Sequence, residues 1–579
     1  MQVGNGYFAF GADVTGLQTF LPWATMSDWG WKNDSLPAGT TDADIAAYRG
    51  NVTEEALEGK RQVLNLWTGT VTSTFQWEGA DVRVQTVAAQ ESNTVGVTIT
   101  SPLLQRGRLG VFLDFPWNDG VQKFEAPFVG VWNATSNHTT ALRTGGGLGR
   151  NIQAQIAHTM DATTFFASVG GDAFSAKRVS PDAHRYEIVP RRGQKEFSVA
   201  VAYSPGAVQA VSGVKEIQRE SQQAWEDFWS NHGFVDVLTG STDARAEELQ
   251  RRIILSQYLL RVNEAGDYPP QESGLVNNGW VSKMQGYSTG ARWSKMTDPA
   301  GRSAPGEINE LLIWEQPHPL VFAEYEYRAT RSMATLEKWH DVVHATADWM
   351  AVYAHRNAST GFFDLGPPMY VVSEDTSPNV TRNPAFELAY WRFGLDHAST
   401  WMERMGEAVP AEWTEVKDNL APLPIEDELY AVYEGIPSDF WDTPTFTNDH
   451  PAMVGLYGWL PQTANVSLTM AKATAEKIWT SWNISNCWGW DFPMLAMSAA
   501  RNGETEKAIE WLLHPLFEFD DVGMPVGGVR VPTPYFPGSG SLLYAMAMMA
   551  EGWDGSKGTA PGFPKAGWEV RTEGMSKAM

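Results

Sequence analysis

Along this chain the pattern of hydrophobic and polar positions changes period once. Between 63 and 101 it alternates: in Val71-Thr72-Ser73-Thr74-Phe75-Gln76-Trp77, the residues Val71, Phe75 and Trp77 share one face and Thr72, Thr74 and Gln76 the other. A period of two is that of a strand with one face buried. Val82-Arg83-Val84-Gln85-Thr86-Val87 alternates less strictly, and glycine and asparagine break the runs into short segments. That pattern predicts an antiparallel β-sandwich ending near 197–203. Over 216–229 the period becomes helical, with Trp225, Phe228 and Trp229 on one side, which predicts a linker helix. Beyond it helices are predicted at 243–263, 319–332, 335–356, 384–403, 468–481, 492–502, 504–514 and 541–551, with Gly, Pro, Asn and Asp between them. Helices joined in hairpins, with long loops gathered on one side, imply a toroid of helical hairpins. The stretch 567–571 reads as a single strand returning to a sheet.

Composition narrows the function. A chain of 579 residues exceeds what one core usually supports, so more than one domain is expected. The net charge of -25 argues against a nucleic-acid partner, which would need a basic surface. No run is long and apolar enough to cross a membrane. Cys487 is the only cysteine, so an internal disulfide and a cysteine-based zinc site are both excluded. Sequons at Asn33, Asn51, Asn133, Asn137, Asn357, Asn379, Asn465 and Asn483 point instead to a secreted or vacuolar glycoprotein. Met1-Gln2-Val3 runs straight into Gly4-Asn5-Gly6-Tyr7-Phe8 with no signal-peptide pattern, so the natural start is expected to lie upstream.

The tryptophans give the chemistry. There are 26, more than a core needs, and several stand beside acids: Trp314-Glu315, Glu387 with Trp391, Trp441-Asp442 and Trp490-Asp491. An indole stacks on the apolar face of a sugar ring, while carboxylates bond its hydroxyls and move protons to a glycosidic oxygen. Glycoside hydrolysis needs one carboxyl group held protonated and a second group to activate water or attack the sugar. Burial among aromatics supplies the first. Glu374 and then Glu387 are the candidate acids, and Glu310 or Glu315 the candidate bases. Trp314, Trp441 and Trp490 are the expected sugar platform, with His318, Asp442, Asp449, His450 and Asp491 as further pocket residues. Glu387 could instead favour a helix dipole, and Asp491 could cap its helix.

Other chemistries fit less well. His340 and His344 have zinc-ligand spacing, but Asp341 stands where the metalloprotease motif has its glutamate. Gly145-Gly146-Gly147-Leu148-Gly149 lacks the Lys-Ser/Thr of a phosphate loop, and no Gly-x-Ser-x-Gly elbow occurs. No metal or cofactor is expected.

Several segments resemble the six-hairpin glycosidases, in particular relatives of glycoside hydrolase families 65 and 95. Val3-Gly4-Asn5-Gly6-Tyr7-Phe8-Ala9-Phe10-Gly11 is similar to the start of their N-terminal sandwich. The stretch from Asn448-Asp449-His450 to Tyr457-Gly458-Trp459-Leu460-Pro461 resembles a His-rich motif of family 95, and Thr376-Ser377-Pro378 with Asn383-Pro384-Ala385-Phe386-Glu387 its Thr-Ser-Pro region. The segment from Glu310 to His318 resembles an uncharacterised bacterial branch of the same proteins. The resemblance implies a β-sandwich (1–205), a linker helix (206–240), an (α/α)6 barrel (241–555) and a terminal strand or tail (556–579). It also implies an exo-acting, metal-independent and usually inverting glycosidase on oligo- or polysaccharide. Two departures matter: the family's acid glutamate falls on Asn379, and its late aspartate falls near Val531-Pro532-Thr533-Pro534, where there is no acid. The insertion 286–305 would be a lid or rim loop. Alternatives are a polysaccharide lyase using His318, His450, Tyr457 and Arg328, a phosphorylase, and a non-catalytic carbohydrate binder.

Overall fold

The computed structural model describes residues 1–20, 25–30, 54–117, 130–267, 270, 290–296, 307–528 and 533–579, apart from the side chains at 307 and 310. Asn33 and Asn51, most of the insertion 286–305, Val531, Pro532 and the side chain of Glu310 therefore lie outside the described residues.

Alternating residues build an eight-stranded antiparallel sheet in the first part of the chain. Its spatial order is Glu58–Asn65, Thr70–Trp77, Ala80–Ala88, Thr94–Thr100, Glu196–Ser204, Thr163–Gly171, Ala154–Met160 and His138–Thr144. Two three-stranded sheets accompany it, one of Gln2–Gly4, Phe8–Gly11 and Thr25–Ser27, the other of Phe174–Arg178, Arg185–Pro190 and Val111–Asp114. Val71, Phe75, Val84, Ile99, Ile156 and Phe197 of the large sheet share one core with Phe8, Tyr186 and Ile188 of the smaller ones. Strand Glu196–Ser204 comes last in this sequence of strands but lies inside the sheet, paired on both sides. Its buried run of Val199, Ala200, Val201 and Ala202 reflects that position, since a strand covered on both faces loses its alternation.

The opposite face of the large sheet receives the helix Val214–Asn231, through Val214 and Ile217 against Val87 and Ala200. Trp225 of this helix stacks on Tyr258 of the helix Ala246–Glu264, ring centroids 4.5 Å apart, and joins the sheet to the helical region. Gly69 allows this approach. Its φ is +60°, and an added Cβ would stand 2.1 Å from the Trp225 indole nitrogen.

The helical part has one large core. His318–Thr330 packs on Met333–Tyr353, which packs on Ala385–Met405, which meets Ala411–Asn419. Asp491–Arg501 packs on Thr505–Leu512 and on Phe536–Glu551, and the last of these returns to Ala246–Glu264. Boundaries follow local chemistry. Ser332 and Ser467 cap helices by accepting the Thr335 and Met470 amides at 3.1 and 3.4 Å, and Gly406 stops another at φ +76°.

Three elements differ most from the sequence reading. The final helix starts at Phe536, five residues before the predicted 541, because Pro537 suits a first turn and Gly538 packs closely on Phe517 and Gly489. Helix Ala411–Asn419 was not predicted; it is anchored by Trp413 and Val416, too few apolar positions to show a period. The returning strand is Arg571–Glu573, slightly later than 567–571, and it pairs with Phe234–Asp236 directly after the linker helix. Among the sequon asparagines described, Asn133, Asn137, Asn379 and Asn465 are exposed.

Candidate active site

The candidate residues lie where three helices begin. Trp314 and Glu315 precede His318–Thr330, the 373–378 loop leads toward Ala385–Met405, and Asp491 is the first residue of Asp491–Arg501. Helix N-termini carry unpaired amides and positive potential, which suits acidic groups. Asp491 is fully buried; its Oδ2 accepts the Trp488 amide at 2.7 Å, and its Oδ1 lies 2.9 Å from His450 Nδ1. Asp449 Oδ1 lies 3.4 Å from His450 Nε2 on the other side of the ring. Burial alone would lower the His450 imidazole, but Asp491 and Asp449 reverse this and raise it above its ordinary value. Burial likewise raises the Asp491 carboxyl, against the pull of His450. Asp491 does not cap its helix: Trp490 holds the cap position without a side-chain hydrogen bond, and the two Asp491 oxygens go to the Trp488 amide before the helix and to His450.

Trp490 connects this array to an aromatic wall. Its ring is 4.3 Å from that of His450 and lies parallel, within 8°, to Trp314 and Trp459. The centroid separations are 6.0 Å for Trp314–Trp490, 5.5 Å for Trp459–Trp490 and 5.4 Å for Trp314–Trp459. All three indoles are half-buried. His318 meets Trp314 edge-on at 4.7 Å while its Nδ1 lies 2.8 Å from the Tyr390 hydroxyl. Burial lowers its pKa to about 4, so His318 is a neutral prop for the wall.

Trp441 stands apart from this wall: its ring contacts are with Phe440 and the Lys477 ammonium, and Asp442 beside it is exposed. The third member is Trp459, which sequence reading passed over because Tyr457-Gly458-Trp459-Leu460 contains no acid. Its acidic neighbours come through the fold. Replacing Trp459 by alanine should weaken binding of a sugar ligand by about 1–2 kcal/mol, roughly a five- to thirtyfold rise in Kd. Titration calorimetry with wild type and variant would show this, and unchanged affinity would remove Trp459 from the wall.

The carboxyl groups fall into two sets. In the first, Glu374 has φ +59° and its Oε1 is 2.5 Å from Lys295 Nζ. Its neighbour Asp375 is bound differently. The Ser373 hydroxyl donates to Oδ1 at 2.6 Å, and Oδ2 is buried with no hydrogen-bond partner among the described residues. Burial, reinforced by the nearby Asp449 charge, raises Asp375 to about 7. Sequence reading missed Asp375 because nothing in Ser373-Glu374-Asp375 indicates which of two adjacent acids turns inward.

The second set lies deeper. Glu387 is buried, with Oε1 accepting the Val372 amide at 3.0 Å, and burial plus the nearby Glu315 raise it to about 8. Glu315 is buried too, accepts from Gln316 Nε2 at 3.0 Å, and is raised to about 7 by burial. Glu387 therefore does more than complement a helix dipole. It shares with Ser373, His450 and Trp482 the lining of a cavity of about 10 Å³, roughly the room one water needs. Trp391, its partner in the sequence pattern, is core, with its indole N–H on the Met350 carbonyl at 3.0 Å.

Of the insertion, the described residues 290–296 lie against this site. Trp293 and Gln316 exchange two hydrogen bonds, of 2.8 and 2.5 Å, and Lys295 reaches Glu374. The residues a lyase would use are not gathered. Arg328 is bound to Glu324 and Asp554, and Tyr457 lies near Arg501.

The sequence matches no protein-family model and no curated protein. Among solved structures, the fold is similar to a human-microbiome protein provisionally assigned as a kojibiose phosphorylase, with TM-score 0.54, 8% identity, and 86% of this chain and 77% of that chain covered. A bacterial glucoamylase complexed with acarbose aligns with TM-score 0.45, 9% identity, and 84% of each chain covered. A family GH92 α-mannosidase from Bacteroides thetaiotaomicron aligns with TM-score 0.36, 10% identity, and 97% and 82% covered. At 8% identity the likeness to the first of these is one of fold.

Proposed function

We propose that the chain is a glycoside hydrolase that releases a terminal sugar by inversion, from a site at the mouth of an (α/α)6 barrel. The return of Phe536–Glu551 onto Ala246–Glu264, last helix on first, supports a closed ring. One observation carries the chemistry: a half-buried wall of three parallel indoles adjoins a buried Asp491–His450–Asp449 array, with a carboxyl group raised to about 7 beside it.

In this reading the sugar ring lies on Trp314, Trp459 and Trp490. Asp375, raised to about 7 and with Oδ2 uncommitted, donates in its protonated form to the leaving oxygen. Asp449, 3.4 Å from the His450 ring, activates water on the other face, and Asp491 fixes the imidazole. The Glu374–Lys295 pair presents polar groups for sugar hydroxyls. Glu315 and Glu387, both raised, are poor bases near neutrality and hold the floor of the site.

Release of free monosaccharide from a panel of terminally linked oligosaccharides in phosphate-free buffer is the expected result. Its rate should fall about tenfold per pH unit above 7, as Asp375 loses its proton. Release that requires phosphate and yields a sugar phosphate would make the protein a phosphorylase; an unsaturated product would make it a lyase.

A further inference from the structure

The helices that open at the candidate site close on a second cavity. His318–Thr330 has His318 at the aromatic wall and Arg328 in its last turn, about 15 Å farther along the axis. Ala385–Met405 runs from Glu387 to Arg404, about 25 Å. Between their C-terminal ends lies a cavity of about 470 Å³, lined by Arg328, Arg331, Arg404 and Lys577 together with Glu324 and Asp554. Four cations face two acids, on a chain whose net charge is -25.

The acids are already engaged. Glu324, buried, pairs with Arg328 at 2.9 Å and with Arg404 at 2.5 Å, and Asp554 pairs with Arg328 at 2.8 Å. Arg328 and Arg404, in the last turns, also offset the negative ends of their helices, so their presence needs no ligand. Arg331 and Lys577 differ. Neither has an ion-pair partner among the described residues, and Lys577 has only a 3.5 Å contact to the Ser556 carbonyl. Arg331 is fixed in the left-handed region at φ +46°, where its amide closes the helix on the Tyr327 carbonyl. Ser576 adds a hydroxyl to the same lining.

We propose that this cavity binds a small molecule bearing a phosphate or sulfate monoester, with Arg331 and Lys577 on the oxyanion and Ser576 donating to it. Guanidinium groups match such oxyanions in geometry and charge. The volume falls within the range of small-molecule sites and exceeds what a bare ion fills. With so negative a chain, general attraction for anions is lacking, so any binding must be local. The site is separate from the proposed glycosidase chemistry and does not depend on it.

The test is titration calorimetry at low salt with inorganic phosphate, inorganic sulfate and glycerol 3-phosphate, on wild type, the Arg331→Ala/Lys577→Ala double variant, and Asp375→Asn. Saturable one-to-one binding is expected, at least tenfold weaker in the double variant and unchanged in Asp375→Asn. Tighter binding of glycerol 3-phosphate than of inorganic phosphate would support an organic ester as the ligand; equal binding would overturn the monoester and leave a site for the free oxyanion alone. Absence of saturable binding, or equal affinity in the double variant, would overturn the proposal. Both replaced residues are exposed and hold no ion pair among the described residues, so loss of folding does not confuse the result.

Discussion

Asp375→Asn should reduce sugar release by a factor of about 10² to 10⁴, the usual contribution of a positioned general acid. Binding should survive, because the amide keeps the shape and still accepts from Ser373. A second effect runs the opposite way. The carboxyl is raised from 3.8 to about 7 by burial, so as pH rises through that window the unfolded chain loses its proton first and wild-type stability declines. Near pH 7.5 the Asn variant, which carries no such charge, should be the more stable by on the order of 2 kcal/mol. Urea unfolding measures this beside the assay. An inactive variant that is also stabilised fits an acid kept protonated by its surroundings. If Asp375→Asn kept most of its turnover while Glu374→Gln lost it, the acid would be Glu374 after all.

The second large effect lies in the β-structured part. His138 and His158 are buried, with Nδ1 and Nε2 2.7 Å apart, and the His184 ring lies tilted against His138, centroids 3.9 Å apart. Burial first, then the neighbouring imidazoles, lowers His138 to about 4 and His158 to about 3. The sign follows directly. Below pH 6.5 the unfolded chain takes up protons that the folded chain refuses, so stability declines from pH 6.5 toward 4. For two coupled histidines that solvent partly screens, the loss at pH 4 is on the order of 3–5 kcal/mol. The urea midpoint should fall across that range, and His158→Gln should flatten the slope. Parallel slopes in variant and wild type would place the acid sensitivity elsewhere.

How far the sequence carried depends on which residues are considered. Helix Leu468–Ser481 has the bounds read from its pattern, since Ser467 caps it and an apolar stripe runs its length. Trp314 and Trp490 stand out because their acids, Glu315 and Asp491, adjoin them in sequence, and His450 because it lies in a motif of a resembled family. Trp459 was missed for the same reason in reverse: its acids are neighbours only in space. Asp375 was missed because burial, which sets its chemistry, is a property of the folded loop. Trp441-Asp442 fitted the sequence pattern, yet Asp442 faces solvent and Trp441 packs away from the wall.

The short pairing of Phe234–Asp236 with Arg571–Glu573 also governs the order of assembly. It is extended by the Glu569 amide on the Ser241 hydroxyl at 2.8 Å, between residues 328 positions apart. During synthesis the sheet and most helices emerge well before this strand, so the seam beside the linker helix stays open until residues 571–573 have emerged. Closing so long a loop is entropically costly and slow beside the local helix hairpins. A nascent chain that has not reached these residues would therefore hold a folded sheet next to an unsealed helical core, a stage exposed to misassembly.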